Sequence, residues 1–233
     1  QTPGMLADWL ELPGAADHIS RWSDISGLDL ARLGTTATAD EITDTAVTQP
    51  LVVAATLLAN AELVNRGLLA GKQTVVAGHS VGEIAAYAIA GVISADDAVK
   101  LAAVRGAEMA KACAVEPTGM SAVLGGDEAE VLARLDALDL VPANRNAAGQ
   151  IVAAGSTAAL EKLAEDPPAK ARVRALATAG AFHTRYMASA LEGYAQAVET
   201  TGTSEPTTTL LSNADGQAVT SAEDAMTKLV AQL

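Results

Sequence analysis

Residues 74–90, Thr-Val-Val-Ala-Gly-His-Ser-Val-Gly-Glu-Ile-Ala-Ala-Tyr-Ala-Ile-Ala, decide the fold class. They begin with a short apolar run that predicts a buried strand, pass through the turn Gly78-His-Ser-Val-Gly82, and continue as a run that favours a helix. The turn fits G-x-S-x-G, the pattern in which a serine is exposed on a tight strand-to-helix turn. It therefore predicts an α/β protein with Ser80 as a candidate nucleophile. The alternative is a glycine turn in which Ser80 only caps the helix.

The segments around this turn alternate in the same way. A long apolar helix is predicted over Thr48–Arg66 and ends at Gly67. Ser94, with Asp97 three residues later, resembles a capping box that begins a helix to about Ala112. Short helical pieces are predicted over residues 4–33.

The middle of the chain has a different order of elements. The predicted strands and helices alternate as β-α-β-β-α-β, the order of the ferredoxin-like unit. They cover, in turn, Met120–Leu124, Asp127–Leu138, Leu140–Asn146, Gln150–Ala154, Ser156–Ala164 and Arg172–Ala177. After them, Thr184 is predicted to cap a helix through Thr200, and Thr207–Ser212 to return as a strand.

The predicted fold class is therefore α/β, with two subdomains. A larger α/β-hydrolase-like body with a parallel sheet is predicted over residues 1–116 and 180–233. A ferredoxin-like subdomain is predicted to be inserted at residues 117–179. The chain opens with Gln1 and stops at Leu233 inside what reads as an unfinished amphipathic helix, so we expect segments to be missing at both ends.

Composition excludes several classes of function. The chain has 233 residues, of which 50% are hydrophobic and 3% aromatic, and 15 basic against 28 acidic residues give a net charge of −13. Nucleic-acid-binding proteins carry an excess of basic residues, so a net negative charge disfavours DNA and RNA, and likewise anionic membranes, as partners. Cys113 is the single cysteine, so no internal disulfide can form and a cytoplasmic location is expected. No His/Cys set has the spacing of a zinc site.

A serine nucleophile needs a base, and the chain offers three histidines, His18, His79 and His183. His79 adjoins Ser80 and is expected to point away from it, and His18 belongs to an early helical piece. His183 is therefore the best candidate base.

Arg105 lies in an apolar run of a predicted helix and allows two interpretations. It could face solvent with Glu108 or Asp97 nearby, or it could be buried as a bidentate clamp for a substrate carboxylate. Composition alone favours the solvent-facing interpretation.

Several motifs together resemble one family, the malonyl-CoA:acyl carrier protein transacylases of fatty-acid synthesis and the related acyltransferase domains of polyketide synthases. The resemblance covers essentially the whole chain. The motifs that carry it are Gly78-His-Ser-Val-Gly-Glu83, Val104-Arg-Gly106, Thr48-Gln-Pro50, Pro142-Ala-Asn-Arg-Asn146 leading into Gln150-Ile-Val-Ala, Gly180-Ala-Phe-His183 and Ser212-Asn213.

The resemblance implies a role for each matching residue. Ser80 is the implied nucleophile and His183 its implied base, with Arg105 as the implied clamp on the malonyl carboxylate. The implied oxyanion donors are the Val81 N–H and Gln1, which matches the last residue of the family's G-Q-G-x-Q motif. Asn146 and Gln49 are similar to polar residues that line the family's pocket.

The same resemblance implies the reaction and its partners. A malonyl group would pass from malonyl-CoA to Ser80 and then to the phosphopantetheine thiol of an acyl carrier protein. No permanently bound cofactor is implied, and we expect a monomer. Such carriers are acidic, so we expect a basic group, Lys170, Arg172, Arg174 and Arg185, to flank the docking surface.

Two other functions stay open at this point. A serine hydrolase or thioesterase shares the turn and would use an acid such as Asp136, Asp139 or Asp166. A non-catalytic scaffold that keeps the fold is the other alternative.

Overall fold

The computed structural model describes residues 1–233, which form a mixed α/β protein with one parallel and one antiparallel sheet. The chain divides into two compact units, residues 1–108 with 191–232 and residues 109–190 with Leu233. The subdomain predicted at residues 117–179 falls inside the second unit.

The first unit is mainly helical and contains a two-stranded parallel sheet. Strand β1 (Val75–Ala77) pairs with β6 (Thr209–Leu211), with Val76 opposite Leu210. The helices of this unit are α1 (Ala7–Leu10), α2 (Ala15–Ser26), α3 (Leu30–Thr35), α4 (Ala39–Thr43), α5 (Thr45–Asn65), α6 (Gly82–Ile89), α7 (Ala95–Cys113), α10 (Leu191–Glu199) and α11 (Ala222–Ala231); the last turn of α7 belongs to the second unit.

Helix α5 is the long apolar helix predicted from the sequence, and it ends where Gly67 predicts. Gly67 has a φ of 65°, and the N–H groups of Gly67 and Leu68 donate to the carbonyls of Val64 and Leu63. This pair of bonds is the Schellman arrangement, which needs a left-handed residue just beyond the helix. By length and composition alone α5 could cross a membrane, and 39% of its most apolar stretch is buried inside the protein.

The second unit has a four-stranded antiparallel sheet in the order β3-β4-β2-β5. The predicted order of elements in this segment is confirmed, and every predicted boundary lies within two residues of the observed one. The elements are β2 (Thr118–Gly125), α8 (Glu128–Ala137), β3 (Val141–Ala147), β4 (Gln150–Ser156), α9 (Thr157–Glu165) and β5 (Ala171–Ala175).

The two faces of this sheet carry different clusters because side chains alternate along each strand. Val123 and Ile151 lie in one cluster with Leu135 of α8 and Leu163 of α9. A second, smaller cluster joins Met120, Val152 and Ala154 of the strands to Ala181. Ala181 begins the segment that leads to His183.

The helix predicted from Thr184 to Thr200 is instead two elements, a 3₁₀ helix over Arg185–Ala190 and then α10. Thr184 does cap the first of them, since its Oγ1 accepts the N–H of Tyr186 at 3.2 Å. The N–H of Met187 then bonds three residues back, to the Thr184 carbonyl at 2.9 Å. That spacing is the tighter 3₁₀ pattern, which is frequent where a helix begins.

Candidate active site

The turn between β1 and α6 holds Ser80 in a conformation that few residues other than glycine adopt. Ser80 has a φ of 52° and precedes the first residue of α6, Gly82. Gly78 makes this turn possible, because a Cβ there would overlap the backbone of Gly82 and Glu83. Gly82 has no comparable role, since a Cβ on it would have nothing within 4 Å. A strained, sharply turned serine of this kind is expected at a functional site.

Arg105 is buried and points to Ser80, so its solvent-facing interpretation is wrong. The side chain is 1% exposed, and its Nη2 donates to Ser80 Oγ at 3.3 Å. Gly106 lets α7 approach the first turn of α5, because a Cβ there would lie 2.6 Å from the Thr45 carbonyl oxygen. That approach brings Arg105 Nη1 within 2.8 Å of Gln49 Oε1, a contact that the sequence did not predict.

A second amide completes the support of Arg105. Gln232, the C-terminal cap residue of α11, accepts from Arg105 Nη2 through its Oε1 at 2.9 Å. Its Nε2 donates to the Ser80 carbonyl at 3.1 Å and to Glu83 Oε2 at 2.6 Å. One glutamine therefore joins the Arg105 guanidinium to the backbone of Ser80.

Asn213 and Glu83 close a ring of hydrogen bonds around Ser80. The Ser80 N–H donates to Asn213 Oδ1 at 3.2 Å, and the Asn213 N–H donates to Glu83 Oε1 at 2.8 Å. Glu83 is 1% exposed, so both of its oxygens meet these donors inside the protein. A network of this kind can hold a strained residue because each member has its partners.

Arg105 is surrounded by buried polar side chains that act on its charge. Burial lowers the pKa of the Arg105 guanidinium, while Tyr194 and Glu83 oppose that change. Burial likewise raises the pKa of the Tyr87 and Tyr194 hydroxyls, so both are uncharged near neutral pH. Arg105 and Glu83 are thus a buried cation and a buried anion separated by the Gln232 amide.

His183 lies in the second unit, on a bend that its sheet holds in place. Its φ is 57°, and the residues beside it are fixed by two bonds: the Ala181 N–H donates to Thr118 Oγ1 at 3.2 Å, and Thr184 Oγ1 donates to the Ala181 carbonyl at 2.6 Å. Gly180 is required there because a Cβ would overlap the sulfur of Cys113. The histidine is half-buried.

The other predicted site residues lie at three places in the chain. Val81 is the N-cap residue of α6. Gln1 is exposed at the first position. Asn146 is exposed in the second unit, where a register shift between Arg145 and Ala147 interrupts the pairing of β3 with β4.

The acids that a hydrolase would need are engaged elsewhere or lie at the surface. Asp139 and Asp166 are strongly exposed and pair with Arg185 and Arg134. Asp136 is exposed on α8. None of them is the buried partner that would orient a histidine. No group of three or more His, Cys, Asp and Glu side chains is placed to hold a metal ion.

Three members of this network, Glu83, Asn213 and Gln232, received no role from the sequence. Glu83 carries a signal in hindsight, because it is a charged residue in an otherwise apolar helix. Asn213 belongs to the Ser212-Asn213 motif, which by itself suggests no role, and Gln232 carries no signal, since an amide near a helix end is ordinary.

The sequence is similar to a known family and to several named relatives. Residues 1–230 match the family described as the acyl transferase domain. A relative described as "Malonyl CoA-acyl carrier protein transacylase", from Mycolicibacterium smegmatis, is 82% identical over 229 residues, which are 98% of this chain and 79% of the relative. A relative of the same description from Mycobacterium tuberculosis is 74% identical over 233 residues, 100% of this chain and 77% of the relative.

Solved structures agree with these matches. The crystal structure of MCAT from Mycobacterium tuberculosis superimposes with a TM-score of 0.97 at 74% identity, over 100% of this chain and 77% of that one. A type II PKS acyl-carrier protein in complex with its malonyl-transacylase superimposes with a TM-score of 0.91 at 29% identity, over 100% of this chain and 77% of that one.

Proposed function

The chain belongs to the acyl transferase domain family, and from this premise we propose that it transfers a malonyl group from malonyl-CoA to an acyl carrier protein in fatty-acid or polyketide biosynthesis. The observation that carries the proposal is the 3.3 Å contact between the buried Arg105 guanidinium and Ser80 Oγ. A nucleophile beside a buried cation suits an acyl group that bears its own carboxylate. A hydrolase of neutral esters has no use for such a cation.

In the first step, Ser80 Oγ attacks the thioester carbonyl of malonyl-CoA and His183 takes the hydroxyl proton. Backbone N–H groups, with Val81 as the first candidate and Gln1 as a side-chain candidate, stabilise the oxyanion. The carbon–sulfur bond then breaks, and coenzyme A leaves as a thiol with the proton from His183. The product is a malonyl ester on Ser80.

In the second step, the phosphopantetheine thiol of the carrier protein attacks that ester. His183 accepts the thiol proton and returns a proton to Ser80 Oγ as the ester bond breaks. Because the donor product leaves before the acceptor reacts, ping-pong kinetics follow.

Arg105 acts in both steps as the clamp on the free carboxylate of the malonyl group. Its Nη atoms already face Ser80 Oγ and two glutamine oxygens, an arrangement that supports a bidentate contact. Gln49 and Gln232 position it, and Asn146 is assigned to the lining of the acyl pocket from the family resemblance.

The remaining assignments belong to the same proposal. We describe residues 1–116 with 180–233 as an α/β-hydrolase-like subdomain, and residues 117–179, which contain the βαββαβ segment, as a ferredoxin-like subdomain. The protein acts in the cytoplasm as a monomer and keeps no cofactor between turnovers.

The carrier protein is proposed to dock beside β5 of the second unit. Arg172 and Arg174 are exposed two residues apart on this edge strand, and Lys170 is exposed just before it. We exclude Arg185 from the predicted basic group because its charge is paired with Asp139. The docking group is therefore Lys170, Arg172 and Arg174.

The decisive experiment is the mass of the intact protein after mixing with malonyl-CoA in the absence of a carrier protein. We expect a malonyl adduct on the peptide that contains Ser80, and its discharge when holo carrier protein is added. The Ser80→Ala variant, with circular dichroism to verify folding, is the control and should gain no adduct.

Other outcomes would contradict the proposal in different ways. Release of free malonate without transfer would identify a hydrolase. A folded protein with no adduct would favour the non-catalytic scaffold.

A further inference from the structure

The Gln232 side chain has two possible orientations of nearly the same shape, and they differ in chemistry. An amide presents an oxygen that accepts and a nitrogen that donates, so turning it over exchanges the two. Arg105 can only donate, and it requires the oxygen. The neighbour on the other side of the amide must therefore hold the nitrogen.

Two acceptors hold that nitrogen: the Ser80 carbonyl at 3.1 Å and the Glu83 carboxylate at 2.6 Å, which is the shorter contact. Glu83 Oε2 makes that contact, and Glu83 Oε1 accepts the Asn213 N–H at 2.8 Å. An ionised carboxylate accepts at both oxygens and donates at neither, so it tolerates only one orientation of the amide. At 1% exposure Glu83 has little water to replace either partner.

The direction of Arg105 depends on this orientation because few groups hold the guanidinium. Its Nε is buried without a hydrogen-bond partner, and the Nη atoms meet Gln49, Gln232 and Ser80 Oγ. Gln49 is oriented in turn by its own Nε2, which donates to Thr45 Oγ1 at 2.8 Å. A hydroxyl thus supports one amide and a carboxylate supports the other.

We propose that Glu83 is a positioning residue for acyl selection: its carboxylate sets the Gln232 amide, and the amide aims the Arg105 guanidinium at the acyl group on Ser80. The proposal rests on the proposed malonyl transfer and deepens it. Glu83 touches neither Ser80 Oγ nor Arg105 in this network, and it acts on the guanidinium through the Gln232 amide. It also provides the buried negative charge that offsets Arg105.

The substitution Glu83→Gln tests this because it keeps the shape and removes one acceptor. The new side chain can still accept the Asn213 N–H, but its nitrogen then faces Gln232. Gln232 must turn over to accept it, which places an N–H against the Arg105 guanidinium. The turn at Ser80 loses the bond from Gln232 to the Ser80 carbonyl but keeps the bond from the Ser80 N–H to Asn213. That loss is common to both acyl donors, whereas the loss of the Arg105 acceptor affects only a donor with a carboxylate, so malonyl transfer should fall further than acetyl transfer.

The measurement is kcat/KM for malonyl-CoA and for acetyl-CoA with holo carrier protein as acceptor. We expect Glu83→Gln to lower the malonyl value about 10- to 100-fold, chiefly through KM, and the acetyl value by less than about threefold. Glu192→Gln, the same change at an exposed position of α10, should alter neither value.

A rescue distinguishes orientation from simple packing. In Glu83→Gln with Gln232→Glu, the amide at position 83 can donate to the carboxylate at 232, which accepts from Arg105. This double variant should recover at least about tenfold in malonyl kcat/KM over Glu83→Gln alone. Gln232→Glu alone places two carboxylates against each other, so its malonyl kcat/KM should stay below that of the double variant.

The inference would be overturned if folded Glu83→Gln kept the wild-type ratio of malonyl to acetyl kcat/KM. It would also be overturned if the double variant showed no rescue. If the Glu83 variants fail to fold, Gln232→Met decides instead: selective loss of malonyl transfer supports the inference and equal loss overturns it. A wild-type protein that transfers neither acyl group would overturn the proposed function, which is a separate result.

Discussion

Arg105 shows how burial changes the meaning of a single residue. A guanidinium in water is ordinary, but at 1% exposure it needs hydrogen bonds and an opposite charge. Two glutamine oxygens and the nearby Glu83 supply these, and Ser80 Oγ takes one further N–H. A substrate carboxylate would add a stronger partner than the hydroxyl does.

Replacing Arg105 should therefore change which acyl group is transferred. Arg105→Ala is expected to lower kcat/KM for malonyl-CoA about 100-fold while most acetyl transfer is kept, because only the malonyl group has a carboxylate to bind. Steady-state kinetics with both donors test this, with Arg66→Ala, at the exposed C-cap of α5, as the control. Parallel losses for the two donors would contradict the role of a clamp.

The strand-turn-helix element depends on one of its two glycines. Gly78 lies where a Cβ would overlap backbone atoms of Gly82 and Glu83, which cannot move without opening α6. Gly82 stands in open space at the first position of that helix. The same motif therefore contains one glycine required by packing and one that packing does not require.

Alanine substitution at these two positions should give opposite results. Gly78→Ala is expected to cost about 3 kcal/mol or more of unfolding free energy, because the overlap is with backbone. Gly82→Ala should be neutral or stabilising by up to about 1 kcal/mol, since alanine favours a helix. Thermal and urea unfolding measure both, and equal destabilisation would contradict the steric argument.

The sequence predicted most elements near their observed limits, for reasons that are local. Capping side chains are an example: Ser94 accepts the Asp97 N–H at 3.0 Å just before α7, as the spacing predicts. The prediction of one helix after His183 is wrong, because the N–H of Met187 bonds three residues back, to the Thr184 carbonyl. Apolar spacing over so short a segment does not distinguish this 3₁₀ pairing from α pairing.

At the scale of the whole molecule, the net charge of −13 repels an acidic partner, so an acidic carrier protein can dock only at a local basic patch. Strand β5 provides one, because it is an edge strand whose Arg172 and Arg174 are exposed beside Lys170. Val173, between them, packs against the core on the opposite face. The alternation of the strand thus places both arginines on one side.

Charge reversal on β5 tests this surface. Arg172→Glu with Arg174→Glu should raise KM for the carrier protein about tenfold and weaken its dependence on salt, while loading of Ser80 by malonyl-CoA is unchanged. Lys162→Glu with Arg134→Glu, on the helices of the same unit, is the matched control. Equal effects in the two double variants would place the docking surface elsewhere.

The sequence by itself determined the strand-turn-helix around Ser80, the βαββαβ segment and the small set of polar residues that could serve the site. These follow from local periodicity, capping and glycine placement, which act over a few residues. Only the tertiary structure decided that Arg105 is buried, and that Gln232 and Asn213, more than 120 positions away from it or from Ser80, complete the ring with Glu83. Which donor faces which acceptor depends on packing between distant segments, and no local pattern encodes that.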